Sequence, residues 1–142
     1  MDKPSPWELW TLNFEFSMAV MAEVEPEVRA LGLEMKEFLL LGKLDDHPYP
    51  AELSRALLTP KPSITFMVKR MEAAGFIQRE TEAGDLRRFR LTLTRSGRKA
   101  MEAARAILDD AFGRRLARIS AGERAELARL LTRMMGERAR PR

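Results

Sequence analysis

The sequence predicts a mainly α-helical protein with one small β-hairpin, and three observations lead there. Ile64, Met67, Val68 and Met71 fall at i, i+3, i+4 and i+7, one face of a helix. Phe89-Arg90-Leu91-Thr92-Leu93 alternates apolar and polar residues, the period of a half-buried strand. Long apolar patterns of helical period flank this centre on both sides. Helix, turn, helix and then a hairpin with a basic tip, all within residues 52–97, is the order of a winged helix-turn-helix. The predicted architecture is that module with flanking N- and C-terminal dimerisation helices.

Ser5-Pro6 with Glu8 reads as a helix start, serine as N-cap and proline at the first helical position. Trp7, Trp10, Phe14, Met18 and Met21 then recur on one face, and Leu9, Leu12, Phe16 and Val20 widen it. A helix apolar over most of its circumference must be covered on most sides, and in so small a chain a second subunit supplies the cover. Trp7, Trp10 and Phe14, with Phe38, also suit an aromatic ligand pocket, although aromatics at helical spacing more commonly carry packing area. Pro26 lacks an amide donor and is expected to break or restart this helix. Leu31-Gly32-Leu33 reads as a turn and Glu34–Leu44 as a core helix. A loop over residues 45–50 follows, with Pro50 suited to open the next helix.

In the centre, Glu52–Leu58 is expected as a short helix ended by the turn Thr59-Pro60-Lys61-Pro62, and Gly75 ends the second helix. Phe76–Thr81 and Arg88–Thr94 are the expected strands, joined by a six-residue polar tip, Glu82–Arg87. Arg95–Ile119 carries a long helical pattern. Ser120-Ala121-Gly122-Glu123 matches a capping box before a last helix with Leu127, Leu130, Leu131 and Met134. Arg138–Arg142 is a basic tail expected to fray. The expected division is a helical dimerisation segment at 1–34, the winged module at 35–97 and dimerisation helices at 98–142.

The 142 residues suit one compact domain with helical extensions, and 45% hydrophobic residues are enough for a core. No apolar run approaches a membrane span, and the start MDKPSPWELW lacks a signal-peptide pattern, so a cytoplasmic location is expected. With no cysteine, disulfides, thiolate metal sites and cysteine nucleophiles are excluded. His47 is the single histidine, and Asp45-Asp46-His47 reads as a solvated loop more readily than as a ligand set. No Ser-His-Asp set, phosphate-binding loop or HExxH helix is present. Neither an enzyme, nor a metal site, nor a cofactor is expected.

Charge is distributed unevenly. Residues 1–60 hold 5 Lys/Arg against 11 Asp/Glu, residues 61–105 hold 11 against 5, and residues 106–142 hold 9 against 5. The positive charge begins just before the second central helix and continues through the hairpin. That suits a polyanion, whose condensed counterions Lys and Arg displace, and equally describes a solvated basic surface.

The chain resembles the MarR family of winged-helix transcriptional regulators over roughly residues 30–135. The resemblance lies in E-L-S-R-A-L at 52–57, S-I-T-F-M-V-K-R-M-E at 63–72 and A-G-F-I at 74–77. Asp85-x-Arg87, followed by Leu91-x-Leu93-Thr94-x-x-Gly97, is its most specific part. It implies a homodimeric, sequence-specific regulator of double-stranded DNA, a repressor that excludes polymerase from a pseudo-palindromic operator. A small aromatic ligand would bind between the dimer layer and the winged module and release the DNA.

The DNA-facing residues would be Lys61, Ser63, Thr65, Phe66, Lys69 and Arg70 on the recognition helix, which lie off its apolar face. Lys69 and Arg70 would reach guanine edges or phosphates, and Ser63 and Thr65 phosphates near the helix start. On the wing, Arg87 would enter the minor groove with Asp85 orienting it, while Arg88 and Arg90 add backbone contacts. Two residues depart from the family pattern. Leu58 stands where glycine is frequent. Phe66 replaces a polar or basic residue and would touch a thymine methyl or fold back onto a neighbouring helix. A winged helix used for protein interaction and a non-specific architectural DNA binder remain the alternatives.

Overall fold

The computed structural model describes residues 2–136, in the order α1 (Pro6–Ala30), α2 (Met35–Lys43), α3 (Pro50–Ala56), α4 (Lys61–Ala73), β1 (Ile77–Glu82), β2 (Asp85–Leu93), α5 (Arg95–Leu116) and α6 (Ala121–Met135). The tail Arg138–Arg142 lies outside the described residues.

The helix starts form as their sequences dictate. Ser5 Oγ accepts from the Glu8 amide and Glu8 accepts from the Ser5 amide, a capping box that Ser120 and Glu123 repeat at α6. Pro26 does not break α1, which runs through it as one helix. The proline removes one donor to the Ala22 carbonyl, at a place on the helix where Ala22 and Pro26 are both exposed rather than in the core.

The core is built on the centre of the chain. Leu40, Leu41, Leu44, Leu53, Ile64 and Met71 are almost wholly buried, and Val24 and Val28 of α1 reach into the same cluster. Ala100, Ala104 and Ala111 of α5 are buried there too, small enough for α1 and α5 to pack closely. Toward its C-terminal end α5 is tied to α1 by Phe16 edge-on to Phe112, ring centres 5.7 Å apart, and by Arg114 and Arg115 on Glu23. Leu39 points out of the core despite its place in α2.

Between the two central helices the chain turns at Leu58, which has a φ of +49°, a left-handed conformation rarely taken by branched side chains. The resemblance makes glycine the expected residue at this position, and Leu58 takes the left-handed conformation at a steric cost. Its side chain is 85% exposed, so burial offsets little of it. Thr59 is held in place by Ser54 Oγ, which donates to the Thr59 carbonyl at 2.6 Å. Pro60 caps α4, and Lys61 and Pro62 are already helical, so the turn is shorter than the predicted Thr59–Pro62.

The hairpin tip is shorter as well. Glu82 pairs with Asp85, leaving a loop of Ala83 and Gly84, with Gly84 at φ +94°. The predicted six-residue tip followed its run of polar residues, but an exposed hairpin end has no buried face to exclude them from a strand. The register is regular from Ile77↔Leu93 to Thr81↔Phe89, then shifts, and residues 86–88 of β2 have no partner in it.

Gly97 of the family-like motif is a joint. A Cβ there would lie 2.0 Å from the Phe76 carbonyl oxygen. Thr94 completes the joint: its Oγ1 accepts from the Gly97 amide and donates to the Gly75 carbonyl, fastening α5 to the start of β1.

Candidate nucleic-acid interface

α4 presents the surface that its periodicity predicts. Ile64, Met67, Val68 and Met71 are buried, and this turns Lys61, Ser63, Thr65, Phe66, Lys69 and Arg70 outward. Thr65 Oγ1 donates to the Lys61 carbonyl one turn back, which leaves its lone pairs as acceptors. No acidic residue stands in the first turn of α4, so its positive end is not neutralised locally.

The basic residues on and around α4 and the wing differ in what holds them. Lys61, Lys69, Arg87 and Arg90 are exposed and have no ion-pair partner among the described residues. Arg70, Arg79, Arg88 and Arg98 are instead held by the protein. Arg70 Nη2 is 2.8 Å from Glu37 Oε1. Arg79 makes a two-toothed pair with Glu72, at 2.8–3.0 Å, and lies over the Phe89 ring at 5.2 Å. That pair raises the Arg79 pKa above its ordinary value and bolts the wing to the end of α4. Arg98 meets Asp45 with two contacts of 3.2 Å. Arg88, predicted to touch the DNA backbone, lies over the Tyr49 ring at 4.3 Å.

Asp85, expected to orient Arg87, reaches it through the backbone. Its Oδ1 accepts from the Arg87 backbone amide at 3.0 Å, and no bond joins the two side chains. The carboxylate therefore fixes the irregular backbone at residues 86–88 and leaves the Arg87 guanidinium free, the way a bulge re-aims a side chain.

Two hydrogen bonds add to the Arg88 contact with Tyr49 in holding the wing to the loop before α3. The Leu91 amide donates to the Pro48 carbonyl at 2.9 Å, and the Tyr49 hydroxyl donates to Glu82. The Glu82 acceptor and its negative charge push the Tyr49 pKa above the usual value near 10. Sequence reading missed Tyr49 and Glu37. A tyrosine in a proline-flanked loop carries no periodic signal, and Glu37 shows only as a charge beside Phe38 on a helix otherwise apolar inward.

The four residues suggested for a ligand pocket do not meet. Trp7, Trp10 and Phe14 are 72%, 61% and 53% exposed along the first half of α1, whereas Phe38 lies in the core. A helix spaces its side chains outward along its axis, so a shared face alone does not make a concavity. The cavity that forms instead, of about 290 Å³, opens between α1, α2 and α4. Met21, Met35, Phe66 and Met67 supply its apolar wall, with Lys36, Glu37 and Arg70 among its charged groups. Phe66 thus folds toward the neighbouring helices while remaining 69% exposed.

Among the described residues no cluster of His, Asp and Glu could hold a metal, and no helix is long and apolar enough to cross a membrane. The first half of α1 and all of α6 display apolar side chains outward, Leu127, Leu130, Leu131 and Met134 among them, and α6 buries no residue.

Comparison with known proteins places this geometry. The HTH-type transcriptional repressor Rv2887 of Mycobacterium tuberculosis is 35% identical over 122 residues, covering 81% of this chain and 87% of that protein. Its solved complex with salicylic acid superposes with a TM-score of 0.71 at 29% identity, covering 94% of this chain and 97% of the other. The S. aureus MepR–DNA complex, 21% identical, shares the fold at a TM-score of 0.75, covering 92% and 94%. The family model described as MarR family matches residues 31–88. The chain belongs to the MarR family of winged helix-turn-helix transcriptional regulators.

Proposed function

We propose that the protein is a homodimeric repressor that binds a pseudo-palindromic site in double-stranded DNA and is released by a small aromatic ligand. The observation that carries this is the outward face of α4 together with the wing: Lys61, Lys69, Arg87 and Arg90 are exposed and unpaired among the described residues. Two such faces in a dimer enter successive major grooves about 10–10.5 base pairs apart, with Arg87 at each flanking minor groove. Ser63 and Thr65 add hydroxyl contacts to phosphate near the start of α4. The repressor name of the relative at 35% identity supports the regulatory reading. The protein acts in the cytoplasm, where the DNA is.

The exposed apolar faces of α1 and α6 support the dimer, since patches of that extent mark interfaces. For the ligand, the salicylic acid complex of the relative supports a small aromatic acid. Its place here is the cavity walled by Met21, Met35, Phe66 and Met67, where thioethers and a ring suit an aromatic guest. Because Phe66 and Met67 belong to α4, a ligand that prefers one placement of that helix changes DNA affinity by its differential binding to the two states.

Selection of bound duplexes from a random pool tests this reading, and the selected duplex then serves for salt titration. Arg87→Ala is expected to weaken binding broadly and to flatten the salt dependence by about one unit per lost phosphate contact, so about two per dimer. Unchanged affinity and slope would remove the wing from the interface. Equal affinity for selected and random DNA would favour an architectural role, and no affinity for any duplex at low salt a protein-interaction module.

A further inference from the structure

Glu37 is the one buried charged residue among the described residues, its side chain 3% exposed. Its Oε1 accepts two hydrogen bonds of 2.8 Å, from the Glu34 amide at the start of α2 and from Arg70 Nη2 on α4. The first bond serves the end of its own helix. The second crosses 33 residues of sequence to the last turn of the recognition helix. A desolvated carboxylate must keep a cationic partner, because an unpaired buried charge is among the most costly features a fold can contain. Arg70 is therefore not equivalent to Lys69 beside it, although both were read from sequence as DNA contacts. Lys69 is exposed and has no ion-pair partner among the described residues, whereas moving Arg70 to a phosphate would strip Glu37 of its only ion-pair partner among them.

We propose that Glu37 and Arg70 are positioning residues for the recognition helix, with the buried carboxylate fixing α4 against α2 and withholding the Arg70 guanidinium from DNA phosphates. This rests on the reading of α4 as the DNA-facing helix. Its consequence is a division of labour along one helix turn: Lys69 supplies phosphate charge and Arg70 sets the angle at which that charge is presented. Both residues also line the cavity beside Phe66 and Met67.

Two measurements test it. On a selected duplex, Lys69→Ala is expected to lower the salt slope by about 0.9 per helix, and Arg70→Ala to weaken binding with the slope unchanged. Glu37→Gln keeps the acceptor for the Glu34 amide while removing the charge; it frees Arg70 and is expected to steepen the slope. A slope that falls with Arg70→Ala as it does with Lys69→Ala would overturn the proposal.

The second measurement needs no DNA. Thermal unfolding of Glu37→Gln, Arg70→Ala and the double variant should show each single change lowering Tm, with the double no worse than the poorer single. Additive losses would mean that the two residues are not coupled, and the proposal fails. If the wild-type protein binds no duplex, the functional reading falls, while the unfolding cycle still decides whether the pair positions the helix.

Discussion

The centre of the chain and its two ends use apolar residues in opposite ways. From α2 to β2, Leu40, Leu41, Leu53, Ile64 and Met71 close a core within a single chain. In the first half of α1 and in α6, equally large side chains such as Trp7, Trp10, Leu130 and Leu131 remain outside. A helix with an apolar stripe is only half of a packing solution, and what it packs against decides whether it belongs to a fold or to an interface. The centre carries its own partner elements. The second half of α1 and α5 join that core, whereas the outward faces of the first half of α1 and of α6 have no cover among the described residues, and a second copy is the partner proposed for them.

That contrast can be broken at the ends first. Trp10→Glu or Leu131→Glu would bury an uncompensated carboxylate in each half of a symmetric dimer, at about 3–5 kcal/mol for each such charge. Sedimentation should then find a monomer, with helical content retained because the central core is untouched; a dimer of unchanged stability would show that these faces are not paired. The reverse holds for Leu53, which is fully buried. Leu53→Ala should cost about 2–5 kcal/mol in denaturant unfolding and leave the self-association of the folded protein as it was.

A smaller effect sharpens the picture inside the centre. Leu58 holds a left-handed conformation that costs a non-glycine residue about 1–2 kcal/mol, and its exposed side chain contributes little in return. Leu58→Gly is expected to raise stability by up to about 1 kcal/mol, reduced by the greater freedom of glycine in the unfolded chain. A clear loss of stability would mean that the left-handed backbone at Leu58 carries less strain than glycine's added freedom in the unfolded chain.

The smallest effect concerns the wing. Tyr49 is the single tyrosine, so its ionisation can be followed by ultraviolet titration of the whole protein. Its neutral hydroxyl donates to Glu82, which raises its pKa in the folded state. Stability from this bond is therefore fully present below the unfolded-state value near 10 and is lost as pH rises through the folded value. Glu82→Gln should bring the titration back toward 10; a titration already at the ordinary value would mean that the wing is not tethered there.

Much of this was legible in the sequence because it rests on local rules. The capping boxes at Ser5 and Ser120, the buried face of α4 and the alternation around Leu91 follow from spacings of two to four residues, which backbone geometry converts directly into faces and caps. The outward residues of α4 were legible for the same reason. The positions of Pro26 and of the hairpin tip were misjudged where a local rule meets an exposed surface. There the missing hydrogen bond, or the polar strand residue, meets only water.

The sequence by itself determined which residues form helices, which faces those helices bury and where positive charge gathers. Only the tertiary structure decided what each charge does. Glu37 and Arg70 are 33 residues apart, as are Tyr49 and Glu82, and Arg98 and Asp45 are 53 apart. No period in the sequence relates such residues, because their pairing depends on how whole elements are stacked. Lys69 and Arg70 are neighbours of like charge in the chain. A buried carboxylate from another helix separates them, leaving one for a partner and keeping the other for the fold.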